Sequence, residues 1–148
     1  MFHDTKNKDT PKQPETTDDI ILLNDKYNLT NESKRYKLHD TLDDQSIIIY
    51  SCNIGLEILS KSEEWYADGT FRCAPRKYKQ MFLIHGWYKG HMYLCAKVFL
   101  KNKDELTYNR MLQLFVQNAA DLNFKLKPLK VTVDFEQAAM NAFQATFN

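Results

Sequence analysis

The sequence predicts an α/β fold with a mixed β-sheet, in which three antiparallel strands are followed by a helical crossover and a fourth, parallel strand. Two observations predict this fold. Three consecutive strand-like segments occur without a helix between them, which favours an antiparallel meander. The apolar spacing then lengthens to the helical period and returns to alternation, and a helix of that length allows the next strand to run parallel to an earlier one.

The composition limits the class of protein. The 148 residues are 43% hydrophobic and 26% charged, with a formal net charge of +1. A dedicated DNA-binding domain usually has a clear basic surplus, so the whole-chain charge does not by itself indicate a nucleic-acid partner. The sequence has no apolar run of about 18 residues and no secretory signal, so we expect an intracellular protein without a membrane partner. The three cysteines lack C-x-x-C spacing and are expected to be reduced thiols.

Residues 1–45 are expected to form a polar, largely disordered N-terminal segment. They contain ten acidic residues, seven basic residues and two prolines. A segment of this composition buries too little apolar surface to offset the entropy lost on ordering. At least residues 1–18 are expected to be disordered, and weak local structure is expected at 20–23 and 36–42. Nearly all the aromatic residues lie in residues 46–148, the predicted folded part.

Two short elements are expected at the start of the folded part. Ile47–Tyr50 is a β-branched run typical of a strand. Asn53 is a candidate N-cap for a brief helix that continues through Leu56 and Leu59. The first strand of the predicted meander then covers Glu64–Phe71.

A tight hairpin is predicted between the second and third strands of the meander, Met81–Tyr88 and Met92–Leu100. Lys89, Gly90 and His91 separate these strands, and Gly90 can adopt the positive φ that a short hairpin turn requires. The two strands are therefore expected to pair antiparallel.

The longest helical pattern begins at Asp104, which is placed to cap the helix N-terminus. The apolar residues of this helix recur with helical spacing: Tyr108, Met111, Leu112, Phe115, Ala119 and Leu122. After Pro128, apolar and polar residues alternate over 129–135, which predicts the fourth strand. A final helix is predicted through Ala139, Ala142, Phe143 and Phe147.

Two carboxylates lie at positions where such a sheet would present them to a ligand. Asp68 lies within the first strand of the meander, and Asp134 lies at the end of the fourth strand. If the two strands are neighbours, both side chains converge. Mg²⁺ prefers carboxylate oxygens, and a pair of such ions can hold the attacking and leaving oxygens of a phosphodiester.

Each aspartate also has an ordinary structural interpretation. Asp68 precedes Gly69, and Asp-Gly is a strong hairpin-turn dipeptide, so Asp68 could lie at a hairpin corner. Asp134 could be the N-cap of the helix that follows from Glu136. Spacing alone leaves both interpretations open.

Several short blocks within residues 47–148 form an ordered pattern. The blocks are Trp65-Tyr66-Ala67-Asp68-Gly69-Thr70-Phe71, Ala74-Pro75, Gln80, Ile84-His85-Gly86, Lys101-Asn102-Lys103, Thr107-Tyr108, Asp134-Phe135-Glu136-Gln137-Ala138-Ala139 and Asn141-Ala142. In this order they resemble the MULE transposase domain of Mutator-like elements. Matched blocks over this length are more specific than any single motif.

The resemblance implies an RNase H-like fold and metal-dependent cleavage and transfer of DNA strands. In that family two aspartates and a glutamate bind two Mg²⁺ ions, for which Mn²⁺ is the alternative. By position, Asp68 resembles the first catalytic, metal-binding aspartate and Asp134 the second. The family's glutamate lies on a helix beyond an inserted segment, so Glu136 does not match it. We therefore expect this chain to be incomplete at its C-terminus and to lack the third carboxylate, a strand and a helix.

The resemblance also implies DNA as the partner of the complete protein, a nuclear location and a capacity to form homo-oligomers. Four basic residues, Arg72, Arg76, Lys77 and Lys79, are candidate contacts for the DNA backbone, because Arg and Lys make most phosphate contacts. A solvated basic loop explains them equally well. The alternative function is that of a catalytically inactive, transposon-derived remnant or a host-adopted module that binds DNA or protein.

Overall fold

A six-stranded mixed sheet and three helices make up the part of the chain that the structure, a computed structural model, describes: residues 28–41, 46–72, 74–134 and 136–148. The strands are β1 (Lys37–Thr41), β2 (Ile47–Tyr50), β3 (Glu64–Thr70), β4 (Gln80–Tyr88), β5 (His91–Leu100) and β6 (Lys130–Val133). The helices are α1 (Asn53–Lys61), α2 (Glu105–Asp121) and α3 (Gln137–Phe147). The predicted mixed α/β class is therefore confirmed.

The strand order in the sheet is β1-β2-β5-β4-β3-β6. Strands β3, β4 and β5 form the predicted antiparallel meander, and α2 leads across to β6, which pairs parallel with β3. The β4–β5 turn consists of Lys89 and Gly90, with φ of 49° and 79°. Two consecutive positive φ values match the twist of a two-residue hairpin, so the hairpin prediction is also confirmed.

The three helices pack on one face of the sheet, here called the helical face. Trp65 lies against Phe147 of α3 with ring centroids 5.3 Å apart, and its indole donates to the Leu59 carbonyl of α1 at 3.2 Å. Phe82 of β4 contacts Tyr108 of α2 with ring centroids 5.4 Å apart. All these side chains belong to one buried core, so the helical face contains most of the apolar burial of the described residues.

The opposite face, here called the open face, is partly covered by the loop that joins β3 to β4. Tyr78 of this loop is buried against Ile48 and Phe99, and its hydroxyl hydrogen-bonds Ser46 at 2.9 Å. Trp87 on the same face remains 44% exposed. Tyr78 therefore anchors this loop to the sheet.

Strand β1 lies ahead of residue 46, in the 36–42 stretch where weak local structure was expected. It pairs antiparallel with β2. Leu38 of β1 packs against the core, so contacts distant in sequence stabilise a strand whose own sequence is polar. Residues 1–18 and 20–23 lie outside the described residues.

The predicted N-cap of α2 is confirmed, whereas that of α1 is wrong. Asp104 Oδ1 accepts hydrogen bonds from the Thr107 amide at 2.8 Å and from its hydroxyl at 2.9 Å, so Asp104 caps α2 as predicted. In α1 the predicted cap Asn53 is wrong by one residue. Cys52 is the N-cap, and its sulfur accepts from the Gly55 amide at 3.4 Å. The Asn53 side chain is engaged outside the helix, where its Oδ1 accepts from the guanidinium of Arg35 at 2.7 Å.

Candidate active site

Asp68 lies inside a continuous strand. Asp68 pairs with Leu83 and Gly69 pairs with Phe82, so β3 passes straight through the Asp-Gly dipeptide. The hairpin-corner interpretation of Asp68 is therefore wrong. A different requirement explains the glycine: a Cβ at Gly69 would overlap Oε1 of Gln80, the first residue of β4. Gly69 permits close approach of a buried side chain and is not a turn residue.

Asp134 follows β6 directly and is not the cap of α3. The N-cap of α3 is Glu136, which makes no side-chain hydrogen bond to its own helix. The N-cap interpretation of Asp134 is therefore wrong. The Asp134 carbonyl accepts a hydrogen bond from the Glu136 amide, so the chain makes a tight turn between β6 and α3. Asp134 is exposed at the start of this turn.

The sheet places the two aspartates at the same level on neighbouring strands. The last registered pair between the parallel strands β3 and β6 is Ala67 with Val133, and Asp68 and Asp134 each occupy the next position. Neighbouring strands lie about 4.8 Å apart. Both aspartates are exposed. The predicted adjacency of the two strands is confirmed, and two carboxylate-bearing positions meet at one end of the sheet.

Aspartates on neighbouring strands offer the carboxylate oxygens that a hard divalent cation prefers, but two carboxylates provide fewer ligands than a two-metal site needs. Among the described residues, no group of three or more His, Cys, Asp or Glu side chains is arranged to hold a metal ion. Asp68 and Asp134 would be the protein ligands of a cation bound here.

A buried chain of hydrogen bonds lies beside this pair of aspartates. Gln80 Nε2 donates to the Tyr108 hydroxyl at 2.6 Å, and that hydroxyl donates to Glu136 Oε2 at 2.8 Å. Gln80 and Tyr108 are both fully buried. Burial raises the pKa of Tyr108 far above its ordinary value, and the charge of Glu136 raises it further, so the phenol keeps its proton. The three side chains connect β4, α2 and the segment that follows Asp134.

The four predicted DNA-contact residues lie on the loop between β3 and β4. Arg72, Arg76 and Lys79 are exposed, whereas Lys77 is half-buried. Because β3 ends where this loop begins, the loop lies at the same end of the sheet as Asp134. The structure therefore brings the basic loop and the two aspartates to one end of the molecule.

Further basic residues at this end were not assigned a role from the sequence alone. Lys101 and Lys103 follow β5, and Nζ of Lys103 lies 4.0 Å from the centroid of the Phe71 ring. The Lys79 amide bonds the carbonyl of Leu100 at 2.9 Å, which joins the two loops. The predicted topology could have revealed these lysines, because the first and third strands of a meander, β3 and β5, run in the same direction and end at the same side of the sheet.

Comparison with protein-family models, with curated proteins and with solved structures finds no match to this chain. In the described residues, no helix is both long enough and apolar enough to cross a membrane. The sequence blocks and the site geometry are therefore the basis for a functional proposal.

Proposed function

We propose that this chain contains the part of a Mutator-like DNA transposase catalytic domain, with an RNase H-like fold, that holds the first two catalytic aspartates. The observation that supports this proposal most strongly is the position of Asp68 and Asp134, one residue beyond the last registered pair of two parallel neighbouring strands. The meander followed by a helical crossover and a parallel strand agrees with the fold that the resemblance implies. Both alternative roles of the aspartates, hairpin corner and helix cap, are contradicted by the geometry.

The residues of the site divide into two roles. Asp68 and Asp134 would hold Mg²⁺ or Mn²⁺, which when bound would activate a water and neutralise the leaving oxygen of the phosphodiester. Arg72, Arg76 and Lys79 are exposed beside them and bind the phosphate backbone of DNA, with half-buried Lys77 contributing charge. Action on chromosomal DNA implies a nuclear location, and strand transfer at two transposon ends is compatible with a homo-oligomer.

A titration with Mn²⁺ tests the metal assignment. We expect the chain to bind one ion weakly, and Asp68→Asn and Asp134→Asn to lose that binding. Asp121→Asn is the matched control, because Asp121 lies at the other end of α2, about 24 Å along the helix from the site end. Electron paramagnetic resonance of free Mn²⁺ measures the affinity. Equal binding by wild type and Asp68→Asn would refute the proposal.

DNA binding is tested by fluorescence anisotropy over a range of salt concentrations. The double variant Arg72→Ala/Arg76→Ala should lower the slope of log K against log [salt] by about 1.8, since each neutralised phosphate contributes about 0.9. Lys125→Ala is the control, because Lys125 is exposed in the connection between α2 and β6, at the opposite end of the sheet. An unchanged slope in the double variant would remove these residues from the DNA interface.

An inactive DNA-binding remnant is the second candidate function. It is favoured by the lack of a third metal-binding side chain among the described residues. A labelled DNA substrate with Mg²⁺ or Mn²⁺ separates the two candidates. Cleavage that disappears in Asp68→Asn, or metal binding without cleavage, supports a transposase domain, the latter one that needs a further carboxylate. DNA binding with neither metal binding nor cleavage supports the remnant.

A further inference from the structure

We propose that Gln80, Tyr108 and Glu136 form a positioning network that fixes the turn carrying Asp134 against the strand carrying Asp68. The role in metal binding depends on the proposed function, since it concerns the same pair of aspartates. The network itself is visible in the hydrogen bonds. It connects elements that no backbone ladder joins: the start of β4, the first turns of α2 and the entry to α3.

The network is built to hold one geometry. Tyr108 is fully buried and its hydroxyl both accepts from Gln80 and donates to Glu136, so its position is defined from two sides. Gln80 is also fully buried, and its Oε1 has no hydrogen-bond partner within the described part of the chain. Keeping such an amide in the core has an energetic penalty, which a purely packing role does not require. Gly69 beside Asp68 is what leaves room for it.

Glu136 is assigned as a positioning residue and not as a metal ligand. Its Oε2 accepts from the Tyr108 hydroxyl, which turns the carboxylate toward α2. Glu136 also does not combine with Asp68 and Asp134 into a group that could hold a metal. The carboxylate acts through the backbone instead: the Glu136 amide bonds the Asp134 carbonyl, so fixing Glu136 fixes Asp134.

The central experiment compares Tyr108→Phe with Tyr36→Phe. Each variant removes one phenol hydroxyl, but Tyr36 packs against Tyr50, with ring centroids 5.2 Å apart, just before β1 at the other edge of the sheet. We expect Tyr108→Phe to weaken Mn²⁺ binding about tenfold, the lower end of what loss of a supporting residue does to metal affinity. Tyr36→Phe should leave the affinity unchanged. Wild-type affinity in Tyr108→Phe would overturn the proposal.

Conservative replacement of Glu136 separates positioning from direct ligation. Glu136→Gln keeps an oxygen that accepts from Tyr108, so its Mn²⁺ affinity should stay within about twofold of wild type. Glu136→Ala should fall about tenfold, as Tyr108→Phe does. Equal losses in Glu136→Gln and Glu136→Ala would make Glu136 a ligand and overturn the positioning role.

Hydrogen exchange distinguishes failure of this inference from failure of the proposed function. The amide of Met140, which bonds the Glu136 carbonyl at 3.1 Å, reports on the entry to α3. In Tyr108→Phe its exchange should accelerate more than that of the sheet amide of Ile84. If Asp68→Asn binds Mn²⁺ as tightly as wild type, the metal assignment and with it the role of the network in metal binding are refuted. Unchanged exchange at Met140 in Tyr108→Phe would refute the positioning network and leave the metal assignment untouched.

Discussion

Adding one methyl group at Gly69 tests how closely Gln80 packs beside the candidate site. It lies in β3 next to Asp68, and a Cβ there would overlap Oε1 of the fully buried Gln80. Gly69→Ala therefore forces the Gln80 amide to move. The hydrogen bond that Gln80 donates to Tyr108 must then lengthen or break.

Two opposing effects determine the change in the free energy of unfolding. Leaving a buried donor without its partner is unfavourable by about 1–3 kcal/mol. Replacing a glycine by alanine inside a strand is favourable by about 0.5–1 kcal/mol, and Gly69 does not need positive φ. The loss of the hydrogen bond is the larger effect. We expect Gly69→Ala to destabilise the protein by about 1–2 kcal/mol.

Urea unfolding in two backgrounds is the assay. In Gln80→Ala the overlapping oxygen is absent, and the nearest remaining contact of a Cβ at Gly69 is an ordinary one with Phe82 at 3.6 Å. Gly69→Ala should then stabilise by about 0.5 kcal/mol, which reverses the sign. Gly90→Ala is the control, because Gly90 has φ of 79° and open space around it, so its destabilisation should be equal in both backgrounds. Equal losses for Gly69→Ala in both backgrounds would refute the steric argument.

Two further substitutions test local electrostatics. Asp104→Ala removes the cap of α2 and should lower the free energy of unfolding by about 1 kcal/mol, measured in urea; unchanged stability would contradict the cap. The Thr107 amide and hydroxyl lower the pKa of Asp104, so its contribution is present above pH 3.8 and is lost as the pH falls through the lower folded pKa. Burial raises the pKa of Cys95 from 9.0 to about 11, so its contribution to stability is lost as the pH rises through that interval. Cys95→Ala should flatten this alkaline decline, and a wild-type profile would contradict the assignment.

Elements whose determinants are local were predictable from the sequence. The hairpin at Lys89 and Gly90 needs only a residue that tolerates positive φ between two strands. The start of α2 needs only Asp104 and an apolar repeat behind it. Strand β1 was predicted only as weak local structure over 36–42, because its sequence is polar and its stability comes from pairing with β2 and from the packing of half-buried Leu38 against the core.

The candidate site was also predictable only in part. The adjacency of Asp68 and Asp134 follows from topology, since a helical crossover after the meander allows β6 to run parallel to β3. The network was not predictable, because Gln80, Tyr108 and Glu136 lie 28 residues apart at each step and none of them is unusual alone. The Asp-Gly dipeptide is typical of a turn, so the sequence indicated one. The glycine is instead required because a Cβ at position 69 would overlap Gln80, a contact that only the folded chain reveals.

The placement of the aspartates is unfavourable for stability by itself. Two unit charges at the spacing of neighbouring strands, about 4.8 Å, repel by about 0.9 kcal/mol in water, and both aspartates are exposed. The loop residues Arg72 and Lys79, together with Lys103, bring positive charge to the same end of the sheet and reduce this repulsion. The same cations attract phosphates. A cation bound between Asp68 and Asp134, as proposed above, would offset this repulsion.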